Sequence, residues 1–272
     1  MSAESINSKP WIKRHAVVLI WVGITSPYWF VLLTIVSLLT FGDLPEVKDL
    51  LNPETNQASL IYSNDLQVIG KYYNENRISV SYSNLDSNLV NALIATEDAR
   101  FFEHSGIDVK ALLRSVYGVV FGLNKGGGST ITQQLAKMMF PRENPNFISL
   151  VFRKFKEWII AVKLERLYSK QEIIALYLNK FDFLNQAVGI QSAARIYFNT
   201  SPDSLSVEQS AMLIGMAKNP SLFNPIRKPE KTIQRRNIVL SQMEKYGYLT
   251  TSEKLKYQSR PLGVNFSIKQ VD

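Results

Sequence analysis

The chain contains no cysteine and only two histidines, His15 and His104. The first absence excludes disulfides, thiolate metal sites and cysteine nucleophiles. The second excludes a histidine-rich metal centre. A thiol-free chain suits an extracytoplasmic domain. Internal repeats and low-complexity tracts are also missing, and the one glycine run, Gly126–Gly127–Gly128, is not followed by the Gly-Lys-Ser/Thr of a Walker loop.

Charge is absent from a long stretch near the start. From Ala16 to Phe41 there are 26 residues with no Asp, Glu, Lys or Arg. As a helix they would reach about 39 Å, against a hydrocarbon core of about 30 Å. Pro27 should kink such a helix, which membrane spans tolerate. A short apolar region with a small-residue cleavage site is not evident, so the segment reads as a retained anchor rather than a cleaved signal. Lys9, Lys13 and Arg14 precede it, while Asp43 and Glu46 follow. The positive-inside rule then places the N-terminus in the cytoplasm and the rest outside. A formal net charge of +8 calls for an anionic partner. Outside a membrane that means acidic headgroups or a pyrophosphate rather than nucleic acid.

Five segments follow from the patterning: a cytoplasmic tail over 1–15, the anchor over 16–41, a linker with a short β element over 42–83, a mainly α-helical domain over 84–260, and an extended tail over 261–272. In the β element Ser59–Tyr62 and Leu66–Tyr73 predict a hairpin, with Ile78–Tyr82 as a third strand. Val109–Leu123 is almost wholly apolar yet too short to span. It reads either as a buried core helix or as a surface immersed in the outer leaflet, with Lys110, Arg114 and Lys125 at the headgroups. The basic run Arg227, Lys228, Lys231, Arg235, Arg236 reads as a solvated helix face or a headgroup contact.

Four stretches concentrate the chemistry. Leu89, Val90, Leu93 and Ile94 predict an amphipathic helix, at whose end lies Glu97–Asp98–Ala99–Arg100–Phe101–Phe102–Glu103–His104–Ser105–Gly106. An acid beside that phenylalanine pair is partly withdrawn from water, the setting of a general base, although a plain charged helix end would look the same. In the second stretch the glycines lead into Ser129–Thr130–Ile131–Thr132–Gln133–Gln134–Leu135–Ala136–Lys137. Ser129 or Thr130 can cap a helix there, with Gln133 placed to close a capping box, and such an N-terminus suits phosphate. The third, Arg153–Lys154–Phe155–Lys156–Glu157, has Arg153 and Glu157 four apart, as an intrahelical ion pair would. The fourth, Ser169 to Asn179, opens with a capping box between Ser169 and Glu172. Leu205–Leu213 reads as another capped helix, a piece of scaffold.

In order, spacing and content these stretches resemble the peptidoglycan glycosyltransferases (glycosyltransferase family 51). Members are monofunctional transglycosylases or the N-terminal modules of class A penicillin-binding proteins. The matches are Glu-Asp-x-x-Phe-x-x-His-x-Gly at 97–106, Gly-Gly-Ser-Thr-Ile-Thr-Gln-Gln at 127–134, Arg-Lys-x-x-Glu at 153–157 and the helix from Lys170 to Asn179. The resemblance covers roughly residues 60 to 250. It implies a mainly α, lysozyme-like head on a single transmembrane helix in a bacterial plasma membrane. Its substrates would be lipid II and the growing glycan strand, with other proteins of cell-wall synthesis as partners.

Carried over residue by residue, the resemblance makes Glu97 the general base and Glu157 the second acid. Glu157 would sit near the leaving pyrophosphate with Lys137, Arg153 and Lys154, and in members that use one it would help hold a divalent metal such as magnesium. Asp98, Phe101, His104 and Gly106 would shape the substrate site around Glu97. Ser129, Thr130, Gln133 and Gln134 would bind donor sugar or phosphate. Two departures stand out: a longer loop at Pro141–Asn146, where Arg142 could replace the family's basic residue, and Phe181–Asn185 in place of the usual aromatic and glycine run. Ser-x-x-Lys and Lys-Thr-Gly are absent, so no penicillin should acylate this chain. Two other readings fit less well. A membrane-anchored muramidase would not need the cations, and a non-catalytic scaffold would not need both glutamates.

Overall fold

The computed structural model describes residues 10–41, 44–45, 50, 59–62, 68–72, 79–123, 127–140 and 147–267. The linker prediction over 42–57, for the most part, Arg142 with its loop, and the last five residues lie outside them. The chain divides into two compact units, Met1–Pro45 with Pro145–Lys156, and Glu46–Asn144 with Glu157–Asp272.

The first unit contains α1 (Pro10–Phe41), and within it Ala16–Leu38 is long and apolar enough to cross a membrane. Its apolar side chains from Val17 to Val36 are largely exposed, as a helix apolar on every side requires when its solvent is lipid. Pro27 lies inside the helix and has no N–H for the carbonyl of Gly23. The Ser26 hydroxyl donates to that carbonyl at 3.3 Å, and the Thr25 hydroxyl donates to Trp21 O at 2.8 Å. The Ser26 hydroxyl thus supplies a bond where proline removes one.

The second unit is mainly helical. Strands β1 (Ser59–Tyr62) and β2 (Val68–Tyr72) pair antiparallel, Ser59 opposite Tyr72, with an irregularity between Ile61 and Tyr62. The hairpin is as expected, but the third strand is not. Residues 79–81 are irregular, and a 3-10 turn runs over Tyr82–Asn84. Asn179 explains how that segment is held without a sheet. Its Oδ1 accepts from Val80 N at 3.0 Å and its Nδ2 donates to Val80 O at 2.8 Å, so one amide stands in for a neighbouring strand.

The following helices are α2 (Ser87–Glu97), α3 (Val109–Val120), α4 (Ile131–Met139), α5 (Phe147–Leu167), α6 (Lys170–Lys180), α7 (Ile190–Phe198), α8 (Val207–Ala217), α9 (Pro229–Lys245) and α10 (Thr251–Gln258). Capping boxes open α6, α8 and α10, from Ser169 and Glu172, Ser206 and Gln209, and Thr250 and Glu253. Helices α2, α8 and α9 pack on one another, α4 packs on α6, and α10 on α9. Their centre is α2, where Leu89, Ala92, Leu93, Ile94 and Ala95 are all buried. An acid at its C-terminus is therefore held by a buried helix of the core. Only part of α5, from Glu157 on, belongs to this unit.

Two expectations about surfaces are decided here. Helix α3 is not a buried core helix: Val109, Leu113, Val116 and Tyr117 are exposed, as are Phe121 and Leu123 just beyond it. The basic run on α9 is not a solvated face throughout, because Arg235 is 8% exposed and Arg236 is fully buried. Arg236 donates to Gln258 O, Arg260 O and Pro261 O at 2.7–3.1 Å, tying down the end of α10 and the strap after it. The strap then donates from Asn265 N to Tyr197 O and from Ser267 N to Ile196 O.

Candidate active site

Glu97 is the last residue of α2, and its side chain is 15% exposed. One oxygen, Oε2, accepts from Gln134 Nε2 at 3.0 Å. The orientation of that amide is not arbitrary, since Gln134 Oε1 accepts from the Tyr177 hydroxyl at 3.1 Å. Tyr177 is buried in α6, and burial first, then the Glu97 charge, pushes its hydroxyl far above its ordinary value, so it remains a donor. The other oxygen, Oε1, faces Arg235 of α9 at 3.7 Å. Arg235 also donates from Nε to Gly215 O at 3.3 Å. A Cβ at Gly215 would lie 3.2 Å from Arg235 Cγ, so the glycine lets α8 and α9 close around the guanidinium. Burial draws Arg235 below the ordinary arginine value while the Glu97 charge opposes the change.

Beside Glu97, Asp98 is buried and accepts three times: from Ile131 N at 3.1 Å, and on both oxygens from His104 Nε2 at 3.0–3.1 Å. It thereby joins the end of α2 to the start of α4. Thr130 caps α4, accepting from Gln133 N and donating to Gly106 O at 2.7 Å. Gln133 does not close the expected box, because its Nε2 donates to Gly106 O at 3.1 Å instead. Gly106 has φ of +90°, and a Cβ there would sit 2.9 Å from the backbone of Ala161. Only glycine gives both that conformation and that approach to α5. Nearby, Arg100 forks onto Asp108 at 2.7–3.0 Å, and Asp108 Oδ1 accepts from Ala111 N, starting α3.

A cavity of about 740 Å³ opens beside Glu97 in the second unit. Of the residues expected at the site, Glu97, Asp98, Ser129, Thr130 and Gln134 line it. Arg100, Arg114, Arg235 and Lys245 add positive charge to its wall. Phe101, His104, Gly106 and Gln133 do not line it. Phe101 and Gln133 are essentially inaccessible, and Gly106 spends its carbonyl on Thr130 and Gln133. In this structure they hold the loop between α2 and α3 against α4 and α5, which shapes the surroundings of Glu97 from behind.

Lys137 is exposed on α4 and Glu157 is buried on α5, and neither lines the cavity. Arg153 and Lys154 belong to the first unit and are half-buried. Both cations and Glu157 have partners. The motif residue Lys170 donates to His104 O at 2.6 Å and Glu165 at 2.8 Å, and lies 4.2 Å from the Phe101 ring centre. Arg235 was not among the expected site residues. The visible signal was the phase of Thr232, Arg235, Arg236, Val239, Leu240 and Met243, spaced as a buried helical face.

As for a metal, Asp98, His104 and Asp108 offer ligand atoms within 4.8 Å of one another. Those atoms already hold Ile131 N–H, each other and the Arg100 guanidinium, whose charge repels a dication. Among the described residues Glu157 belongs to no such group of three ligands.

The family model described as Transglycosylase matches residues 64–244. Penicillin-binding protein 1F of Bacillus subtilis is 40% identical over 209 residues, 76% of this chain and 29% of its own length. Penicillin-binding protein 1A of Escherichia coli is 35% identical over 229 residues, 84% of this chain and 26% of its own. The crystal structure of penicillin-binding protein 1A from Haemophilus influenzae superposes loosely, at 22% identity and TM-score 0.44, over 79% of this chain and 22% of that one. The chain thus spans between a quarter and a third of the curated relatives it matches. With the motif order, the acid at the end of α2 and the family model in agreement over most of its length, the chain belongs to the transglycosylase family.

Proposed function

We propose that this chain polymerises lipid II into glycan strands. The observation that carries the reading is Glu97, held by Gln134 in a cation-lined cavity, in a chain of the transglycosylase family. Oε1 of Glu97 accepts the proton of the acceptor 4-hydroxyl. The freed oxygen attacks C1 of the donor sugar from the face opposite the leaving group, a C–O bond forms with inversion, and undecaprenyl pyrophosphate departs with its bonding pair. The leaving group is an anion already, so it needs positive charge more than a proton, and the paired acids of glycoside hydrolases are not required.

Lys137, Arg153, Lys154 and Glu157 are assigned to the pyrophosphate end by the motif match. A divalent cation such as magnesium, where one is used, would be held at Glu157 and would offset the negative charge of the departing pyrophosphate. The chain would be anchored in the bacterial plasma membrane with residues 1–15 in the cytoplasm and the catalytic unit outside, working beside other proteins of wall synthesis. The exposed apolar face of α3 supports a substrate taken from a lipid surface.

The test is polymerisation of fluorescent lipid II in detergent by wild type and Glu97→Gln. Loss of a positioned base costs about 10²–10⁴-fold. Wild-type protein should make lysozyme-sensitive strands and the variant should not. A folded wild-type protein that leaves lipid II intact would sink the reading.

A further inference from the structure

We propose that Arg235 is the charge partner of the base: a positioning residue that faces the Glu97 carboxylate and aims Oε1 at the acceptor hydroxyl. The inference rests on the function proposed above. Its basis is geometric. Gln134 occupies Oε2 at hydrogen-bond distance, whereas Arg235 approaches Oε1 only to 3.7 Å. The two oxygens are thereby made unequal. One is committed to a neutral amide that is itself fixed by Tyr177, and the other feels a full positive charge yet keeps its lone pairs for an incoming proton.

Arg235 is suited to the task because it is immobile and poorly hydrated. It is buried, donates to Gly215 O, and its guanidinium carbon lies 5.8 Å from the centre of the Phe223 ring. A charge in such a setting acts at longer range than one in water. Among the described residues, the groups that face Glu97 are Arg235 from α9, Gln134 from α4, the neutral Tyr177 from α6 and the neighbouring Asp98, which is engaged with His104 and Ile131 N. Arg100, Arg114, Asp108 and Lys245 line the same cavity, with Arg100 and Asp108 paired to each other. Among them Arg235 is the cation that meets Glu97 within ion-pair distance.

A carboxylate deprived of a nearby cation holds its proton to higher pH, by about one to three units for a close partner. Two measurements therefore test Arg235→Gln beside Arg235→Lys and wild type, each protein in detergent and checked for folding by thermal melt. The first is the pH profile of lipid II polymerisation. The acidic limb should move up by about a unit or more in Arg235→Gln, with the loss in kcat rather than KM, and Arg235→Lys should restore the limb toward wild type. The second needs no turnover: carbodiimide labelling of Glu97, read by peptide mass spectrometry across pH, should show the same displacement. An active wild type with both profiles unchanged in folded Arg235→Gln overturns the charge-partner role and leaves the catalytic reading standing. An inactive wild type whose labelling midpoint still moves with Arg235 supports the pairing and removes the function.

Discussion

Asp108 joins two pieces of local structure through one carboxylate, accepting the Arg100 fork on one side and the Ala111 N–H at the start of α3 on the other. Burial works to raise its carboxyl, but the Arg100 bond, the Ala111 bond and the Arg100 charge outweigh it, so the group lies below its ordinary value. A carboxyl lowered by folding stabilises the folded chain above its unfolded value, about 3.9, and that contribution disappears as pH falls through the folded value. Asp108→Asn should lose about 1–3 kcal/mol at pH 7, the usual cost of breaking a charged hydrogen bond at a buried site. Its stability should then decline less steeply than wild type below about pH 4. Urea unfolding of both proteins at pH 7 and pH 3 reads the difference, and equal acid slopes would dissociate Asp108 from acid stability.

Helix boundaries are legible where their chemistry is local. Ser169 with Glu172, and the helix beginning after Ser206, are visible in a few consecutive residues and are present as capping boxes. The acid at the end of α2 is visible for the same reason. What stays hidden depends on residues far apart in the chain. The Arg235 that faces Glu97 looks like one member of a basic run until α8 and α9 close over it, and nothing in the local sequence says that the Gln133 amide donates to Gly106 O. The missing third strand is of the same kind. Val80 has a β pattern around it, yet the partner of its backbone is a side chain, Asn179, on α6. Asn179→Ala removes both bonds and should cost about 1–3 kcal/mol. Amide exchange should rise first at Val80 and through the turn at Tyr82–Asn84. Exchange that rose evenly over the whole unit would mean that Asn179 serves global stability instead.

At the scale of the molecule, the catalytic cavity and the apolar surface share helix α3. Ala111 and Arg114 line the cavity, while Val109, Leu113, Val116 and Tyr117 project from the opposite side of the same helix and are exposed. That spacing follows from 3.6 residues per turn, and it explains why composition alone left two readings open: a helix buried in protein and one immersed in lipid show the same apolar stripe. Exposure removes the first reading, and the lipid-borne substrate proposed above would give the surface a purpose. Withdrawing one leucine from water is worth about 1.5–3 kcal/mol, or roughly ten- to a hundredfold in partitioning. Leu113→Glu combined with Val116→Glu should therefore depress polymerisation in liposomes by about tenfold or more, while activity in detergent micelles stays near wild type. Folding should be little affected, since changes at exposed positions usually fall within about 0.5 kcal/mol. A melting temperature that dropped together with activity in both media would place the face in a protein core after all. An unchanged ratio of liposome to detergent activity would separate α3 from the lipid surface.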